Sequence, residues 1–368
     1  MRYPSLYLAW YNHVPNIKYD FRSSGILLFK HNLMLGEVDL NANYTPYISK
    51  LLAKRYNVEP ENIFLSSDGT SGQNSRIIRY IAEKDKKKRE AVVEYPTYEP
   101  LLRQAQKHFP RIKRMERREK DSFKLDAEAL RKIVSEKTGL LVLTNPHAPS
   151  GAIAQKSEMK EIMAVAHEYG FYVLCDEIYA EFERDAIPTL FSVDKELGIV
   201  TTSFTKAYGL GGLKLGIALA NKNLVEGLYE DLMNTSGGVS NIVQLIALEL
   251  LTKDGEILEK HKKKWVSLKK ETEEWLNEKG FEFFPNKVSV TYWVKTPIKD
   301  TYTWTNTHTI PHYSLASVPG TFFLFKSDYK LAKSNMIRLG LGNVNPYNPI
   351  LKESLENLEK AIKTYHQV

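Results

Sequence analysis

The run Leu140-Leu-Val-Leu-Thr144, the helical pattern Glu158–Tyr169, Gly170 and the run Phe171-Tyr-Val-Leu-Cys175 together decide the fold. Two short apolar runs flank an amphipathic stretch that ends on glycine. An apolar run without polar alternation reads as a strand covered on both faces, and a glycine after a periodic stretch reads as a helix stop. The same alternation extends outward. Ile63-Phe-Leu-Ser-Ser67 reads as a strand and Ser71–Lys84 as the helix after it. Ala91-Val-Val-Glu-Tyr95 is a strand followed by a helix through Leu101 and Leu102, and Ile199-Val-Thr-Thr-Ser203 is a further strand. This order predicts an α/β fold with a largely parallel sheet, in which ligands bind at the carboxyl ends of the strands.

After about residue 245 the character changes. Ile242–Leu251 and Leu258–Lys279 read as long charged helices, Val288–Lys295 as a strand and Ser354–Tyr365 as a last helix. The expected division is a large domain over 40–245 and a smaller α+β domain built from 1–39 and 246–368. Fifty-one basic and 44 acidic residues leave a net charge of +7. The basic runs Lys84–Arg89 and Arg111–Lys120 are broken by acids and carry no interleaved aromatics, so they read as solvated surface rather than a nucleic-acid patch. The one cysteine, Cys175, excludes an intrachain disulfide and suits a reducing compartment. No signal-peptide core and no membrane-length apolar run is read, so a cytoplasmic protein without a membrane partner is expected. His308 and His312 are four apart, but Pro311 argues against a helix there, and no metal site is expected.

The segment Val200-Thr-Thr-Ser-Phe-Thr-Lys-Ala-Tyr-Gly-Leu-Gly-Gly-Leu-Lys-Leu-Gly216 carries the chemistry. A strand ends at Ser203, Thr205 supplies a hydroxyl, Lys206 follows, and four glycines lie within the next stretch. A strand-end position among hydroxyls, with a second cation at Lys214, is a setting that lowers a lysine's pKa, and a neutral amine is what attack on a carbonyl requires. On these residues alone a surface lysine beside a flexible loop is an equal reading.

The segment resembles the Ser-x-Ser-Lys-x-x-x-x-x-Gly-x-Arg-x-Gly signature of the fold-type-I, class I/II aminotransferases that depend on pyridoxal 5′-phosphate (PLP). The likeness covers roughly residues 20 to 345. It implies the PLP-dependent transferase fold type I, with Lys206 as the Schiff-base lysine. Asp176, in Asp176-Glu-Ile-Tyr179, would pair with the pyridinium nitrogen, and Tyr179 would donate its phenol to O3′ of the cofactor. Gly69-Thr70-Ser71 would bind the phosphate at a helix start, with Ser203, Thr205 and Lys214. Tyr98 matches the aromatic that stacks on the ring. Tyr44 resembles a tyrosine that reaches the phosphate from a neighbouring subunit, since the family forms homodimers. Arg338 matches the arginine that grips the substrate α-carboxylate, and Gly25 the glycine whose segment closes over it.

Two departures matter. Lys214 stands where the family usually has arginine, which keeps the charge and loses the bidentate fork. The family's Asn-Pro-x-Asn-Pro-Thr-Gly appears here as Asn145-Pro-His-Ala-Pro-Ser-Gly151. The second asparagine, which donates to O3′, is Ala148, which leaves Tyr179 as the main donor unless Asn145 or His147 turns inward. Loss of a donor to an anionic oxygen raises the pKa of the group it supports. The visible band of the PLP-loaded protein should therefore titrate at higher pH than in Ala148→Asn. An unchanged midpoint in that variant would rule this out.

The implied activity is amino transfer from an amino acid to a 2-oxo acid. A decarboxylase or β-lyase on the same fold, and a PLP-fold regulatory protein without catalysis, are the alternatives. The stretch Met233–Asn241 holds no cation for a side-chain carboxylate. The aromatic start, with Tyr3, Tyr7, Trp10 and Tyr11, can line a pocket or pack, and packing is the expected role.

Overall fold

A computed structural model describes residues 5–26, 39, 41–252, 254–284, 288–326, 330–344 and 350–365, with the side chains of 254–264 excepted. Tyr3 lies outside these residues. The strands are β1 (Tyr19–Phe21), β2 (Ile63–Ser66), β3 (Glu90–Tyr95), β4 (Arg111–Glu116), β5 (Thr138–Thr144), β6 (Tyr172–Asp176), β7 (Gly198–Thr202), β8 (Gly216–Leu219), β9 (Phe283–Phe284), β10 (Thr291–Lys295), β11 (Leu315–Pro319) and β12 (Met336–Gly340).

A seven-stranded sheet runs in the order β2-β8-β7-β6-β5-β3-β4. Its neighbours from β7 to β4 are parallel, and β8 alone runs against both β7 and β2. Burial explains the apolar runs that announced it. Leu141 and Leu143 of β5 face one core with Val173 and Cys175, while Leu140 and Val142 face a second core with Leu174. Both faces are covered, so no polar alternation survives. The helix between β5 and β6 spans Lys156–Tyr169 and stops at Gly170, whose φ is +64°. This left-handed cap favours glycine.

The second sheet has the order β1-β11-β12-β10-β9. Its strand β10 starts at Thr291, three residues later than the alternation predicts. The Ser289 hydroxyl accepts the Thr291 N–H, and such local bonds compete with ladder formation. Helices Asn241–Thr252 and Asp254–Glu278 fill the region read as long helices. The expectation of no helix around Pro311 is corrected: Thr305–Thr309 forms a π turn and Ile310–Tyr313 continues it. The Ile310 N–H reaches Thr305 O, and this wider turn accommodates a proline that cannot donate. The two histidine rings are 5.8 Å apart, and no group of three metal-ligating side chains exists among the described residues. No helix among them is long and apolar enough to cross a membrane.

Candidate active site

The carboxyl ends of β2, β3, β5, β6 and β7 converge on one cavity of about 460 Å³. Lys206 enters it just beyond β7. Its Nζ donates to Ser24 Oγ at 2.8 Å. Burial, with Arg338 and Lys214 nearby, lowers its pKa to about 8, and Asp176 opposes the shift. Near neutral to mildly basic pH a useful fraction of the amine is therefore uncharged.

Asp176 ends β6. Its Oδ2 accepts from Asn74 Nδ2 at 2.8 Å and its Oδ1 from the Ile178 N–H at 3.1 Å. Asn74 is itself held by the Thr201 hydroxyl, which donates at 2.6 Å. Burial raises the Asp176 pKa from 3.8 to about 6, against the pull of those donors and of Lys206. Burial raises the Tyr179 phenol above its ordinary pKa. Tyr98 caps the helix Glu99–His108 and meets Tyr7 edge-on at 5.7 Å.

The raised Asp176 has a measurable consequence. Between pH 4 and 6 the native apoprotein holds a proton that the unfolded chain has lost. Its contribution to stability therefore falls as pH rises through that window. The thermal stability of Asp176→Asn relative to wild type should increase from pH 4 to 6, by up to about 3 kcal/mol. A constant difference across that range would refute the shift.

The opposite end of the cavity is built for an anion. Gly69, Thr70 and Ser71 open the 16-residue helix Gly69–Lys84. The Thr70 hydroxyl is buried with no partner. Gly69 takes φ +69°, and its N–H donates to Lys214 O at 2.6 Å, which draws the Lys214 segment against the helix start. Orphan N–H groups, an unpartnered hydroxyl and a cation suit a phosphate. Thr205 lines this wall. Ser203 stands one step behind it, donating to Thr205 Oγ1 at 2.8 Å.

Arg338 lies mid-strand in β12, between Val318 of β11 and Trp293 of β10. Its Nη2 donates to Arg22 O at 2.5 Å and to the Tyr7 hydroxyl at 3.3 Å. Its Nε is buried without a partner, so the guanidinium keeps donor capacity. A carboxylate satisfies that capacity in a planar grip. Gly25 is pressed against Lys206, where an added Cβ would stand 2.9 Å from Lys206 Cδ.

Other candidates lie elsewhere. The Asn145 amide is spent on the backbone, donating to Pro188 O at 3.1 Å and accepting the Ala154 N–H at 2.9 Å, so it does not face the cavity. His147 lines the cavity with both nitrogens engaged. Nε2 must donate to Pro96 O, so Nδ1 accepts from Ser150, and burial keeps the ring neutral. Neither residue replaces the asparagine missing at Ala148. Tyr44 is outside the wall, its hydroxyl donating to Asp39 O at 3.2 Å.

The expectation that the aromatic start only packs is also corrected. Trp10 packs on Phe322 and donates to Asn306, whereas Tyr7 and Tyr11 line the cavity. Glu99 places them. Its buried carboxylate accepts from Ser5 Oγ, Leu6 N and Tyr7 N at 2.5, 2.9 and 2.7 Å, capping the helix Leu6–His13. Ser24 and Asn74 were also missed, because an isolated Ser or Asn carries no local signal of what it meets. A wider cleft of about 700 Å³ beside Glu116, Lys299 and Lys333 contains neither Lys206 nor Asp176.

Lys206, Asp176, the Gly69–Ser71 helix start and Arg338 thus surround one cavity. The chain belongs to the family Aminotransferase class I and II, whose profile matches residues 30–342. A histidinol-phosphate aminotransferase of Methanococcus aeolicus is 25% identical over 218 residues, 59% of this chain and 56% of that one. An LL-diaminopimelate aminotransferase of Halothermothrix orenii is 26% identical over 66% of this chain and 61% of its own length. The chain thus matches less than two thirds of the length of these curated relatives. Among solved structures, a PLP-dependent aminotransferase from Streptococcus suis superposes with a TM-score of 0.83 at 21% identity, covering 100% of this chain and 99% of that one. The fold is that of the PLP-dependent aminotransferases.

Proposed function

We propose that the protein is a PLP-dependent aminotransferase that moves the amino group of an amino acid to a 2-oxo acid. The observation that carries this reading is the convergence of Lys206, Asp176 and Arg338 on one cavity with an anion cradle at its end. Bound PLP supplies a carbonyl and an electron-accepting ring. Gly69, Thr70, Ser71, Thr205 and Lys214 would hold its phosphate, with Ser203 bracing Thr205. Tyr98 would cover the ring face, and Tyr179 would donate to O3′. Asp176 would face the ring nitrogen and keep it protonated, with Asn74 fixing the carboxylate.

Arg338 orients the substrate by its α-carboxylate. Lys206, with a pKa near 8, takes a proton from the substrate Cα and returns it later as an acid. Among the described residues that line the cavity, the cations are Lys206, Lys214 and Arg338, and each has a role in this reading. The remaining wall includes Tyr7, Tyr11 and Phe323. It suits an uncharged, ring-bearing substrate side chain.

A homodimer is part of the same proposal. Tyr47, Met233 and Ile242 are 62%, 61% and 47% exposed. Hydrogen bonds from Tyr44 N to Gln244 and from Asn241 to Ala42 O bring two of their segments together. Exposed apolar side chains of this kind suit a subunit interface, and in this reading Tyr44 would serve a partner's site. A reducing, cytoplasmic setting suits the buried Cys175.

The test is a donor screen of the PLP-loaded protein against 2-oxoglutarate and pyruvate, with pyridoxamine phosphate measured after the donor alone. Aromatic donors should outperform aspartate. Oxo acid formation without pyridoxamine phosphate would point to the lyase reading, and neither product from any donor would reject transamination.

A further inference from the structure

Residues 22 to 26 form a strap across the cavity, and every part of it is fixed. Arg22 O accepts from Arg338, and the Gly342 N–H donates to Ser23 O at 3.3 Å. The Ile26 N–H donates to Lys206 O at 3.1 Å. The fit is close enough that a Cβ at Gly340 would stand 2.1 Å from Ser23 O, and one at Gly342 would stand 1.9 Å from Gly25 O. Ser24 is thus held between the arginine and the lysine with little freedom. Lys206 Nζ donates to its hydroxyl at 2.8 Å, and Tyr179 lines the same wall.

A serine hydroxyl has one proton. An ammonium only donates, so while Lys206 is charged the Ser24 hydroxyl is the acceptor in this bond. We propose that Ser24 is a positioning residue whose hydroxyl accepts from Lys206 and holds the amine in place in the cavity. The strap that orients Arg338 therefore also aims the amine. The inference rests on Lys206 being the cofactor lysine only for its catalytic meaning, since the contact itself belongs to the apoprotein.

The charged groups facing Nζ are Arg338 from β12, Lys214 from the glycine-rich turn and Asp176 from β6, with the Tyr179 phenol beside them. None changes in Ser24→Ala. An acceptor stabilises an ammonium more than an amine, so its loss should lower the lysine's titration midpoint. The experiment compares wild type, Ser24→Ala and Ser24→Thr in two measurements. The first is trace acetylation of the apoprotein by acetic anhydride across pH, read by mass spectrometry of the Lys206 peptide. The second is the rate of PLP capture at Lys206, trapped with borohydride.

The expected result is a lower acetylation midpoint in Ser24→Ala and capture slowed about tenfold above that midpoint. Ser24→Thr, which keeps a hydroxyl, should restore both. A wild-type midpoint in Ser24→Ala overturns the proposal, as does an equal defect in both variants, which would mean packing alone. If wild type fails to attach PLP at Lys206, the cofactor reading fails, and the acetylation midpoints by themselves decide the role of Ser24.

Discussion

Lys206→Ala should abolish borohydride-stable attachment of PLP and slow amino transfer by about 10³–10⁴-fold, the usual worth of a positioned acid–base group. Among the described residues that line the cavity, Lys206 is the amine in contact with Ser24 and near Asp176 and Arg338. The other lysine in its wall, Lys214, has φ +58° and its carbonyl bound to the Gly69 N–H, which ties it to the anion cradle. It cannot substitute without breaking that turn. Removal of Lys206 therefore takes away both the attachment point and the base. The Ser24 hydroxyl loses its donor, but the backbone bonds from Ile26 N to Lys206 O and from Gly342 N to Ser23 O remain, so folding should persist. Peptide mapping after reduction and single-turnover kinetics check this. Trapping of PLP at another lysine, or turnover within tenfold of wild type, would sink the assignment.

Arg338→Ala should lower kcat/KM for every amino acid donor by about 10²–10³-fold, which corresponds to roughly 3–4 kcal/mol lost from a buried charge-assisted grip. Arg338→Lys should recover little of it. The guanidinium is anchored on one side by Arg22 O and the Tyr7 hydroxyl, and its Nε stays buried without a partner. An ammonium has the charge but not the planar fork. It would also strand the carbonyl of Arg22 or the carboxylate, since it cannot span both. The loss should be nearly the same for donors with different side chains, because the arginine reads the part they share. A loss confined to one donor class would reassign Arg338 to side-chain recognition. Near-UV circular dichroism separates either result from a repacking of Tyr7 and Phe323, whose rings lie within 5.8 Å of the guanidinium carbon.

The legible part of the site follows from local constraints. The strands β5, β6 and β7 showed because each is buried on both faces, which forces unbroken apolar runs. Asp176 ends one such strand and Lys206 follows another closely, so their place at the carboxyl edge came with the strand assignment. The glycine-rich turn and the helix start at Gly69 announced themselves because positive φ and close approach select glycine.

The rest depended on contacts between distant segments. Ser24 meets Lys206 across 182 positions, Asn74 meets Asp176 across 102, and Tyr7 meets Arg338 across 331. No spacing within a segment encodes such meetings. Asn145 and His147 show the complementary limit. Their types suit a cofactor contact, but Pro188, Ala154, Pro96 and Ser150 already use their polar atoms. Pro311 is a similar case, because a π turn removed the objection that proline raises.

By itself, then, the sequence determined the alternation of strands and helices and the chemical groups at their ends. Burial and backbone sterics act on neighbouring residues and leave a periodic trace. Only the tertiary structure decided which hydroxyl aims the lysine, which amide holds the aspartate and which helix walls the cavity. Those choices are made by packing, where the partner is whichever group the fold brings within hydrogen-bonding reach.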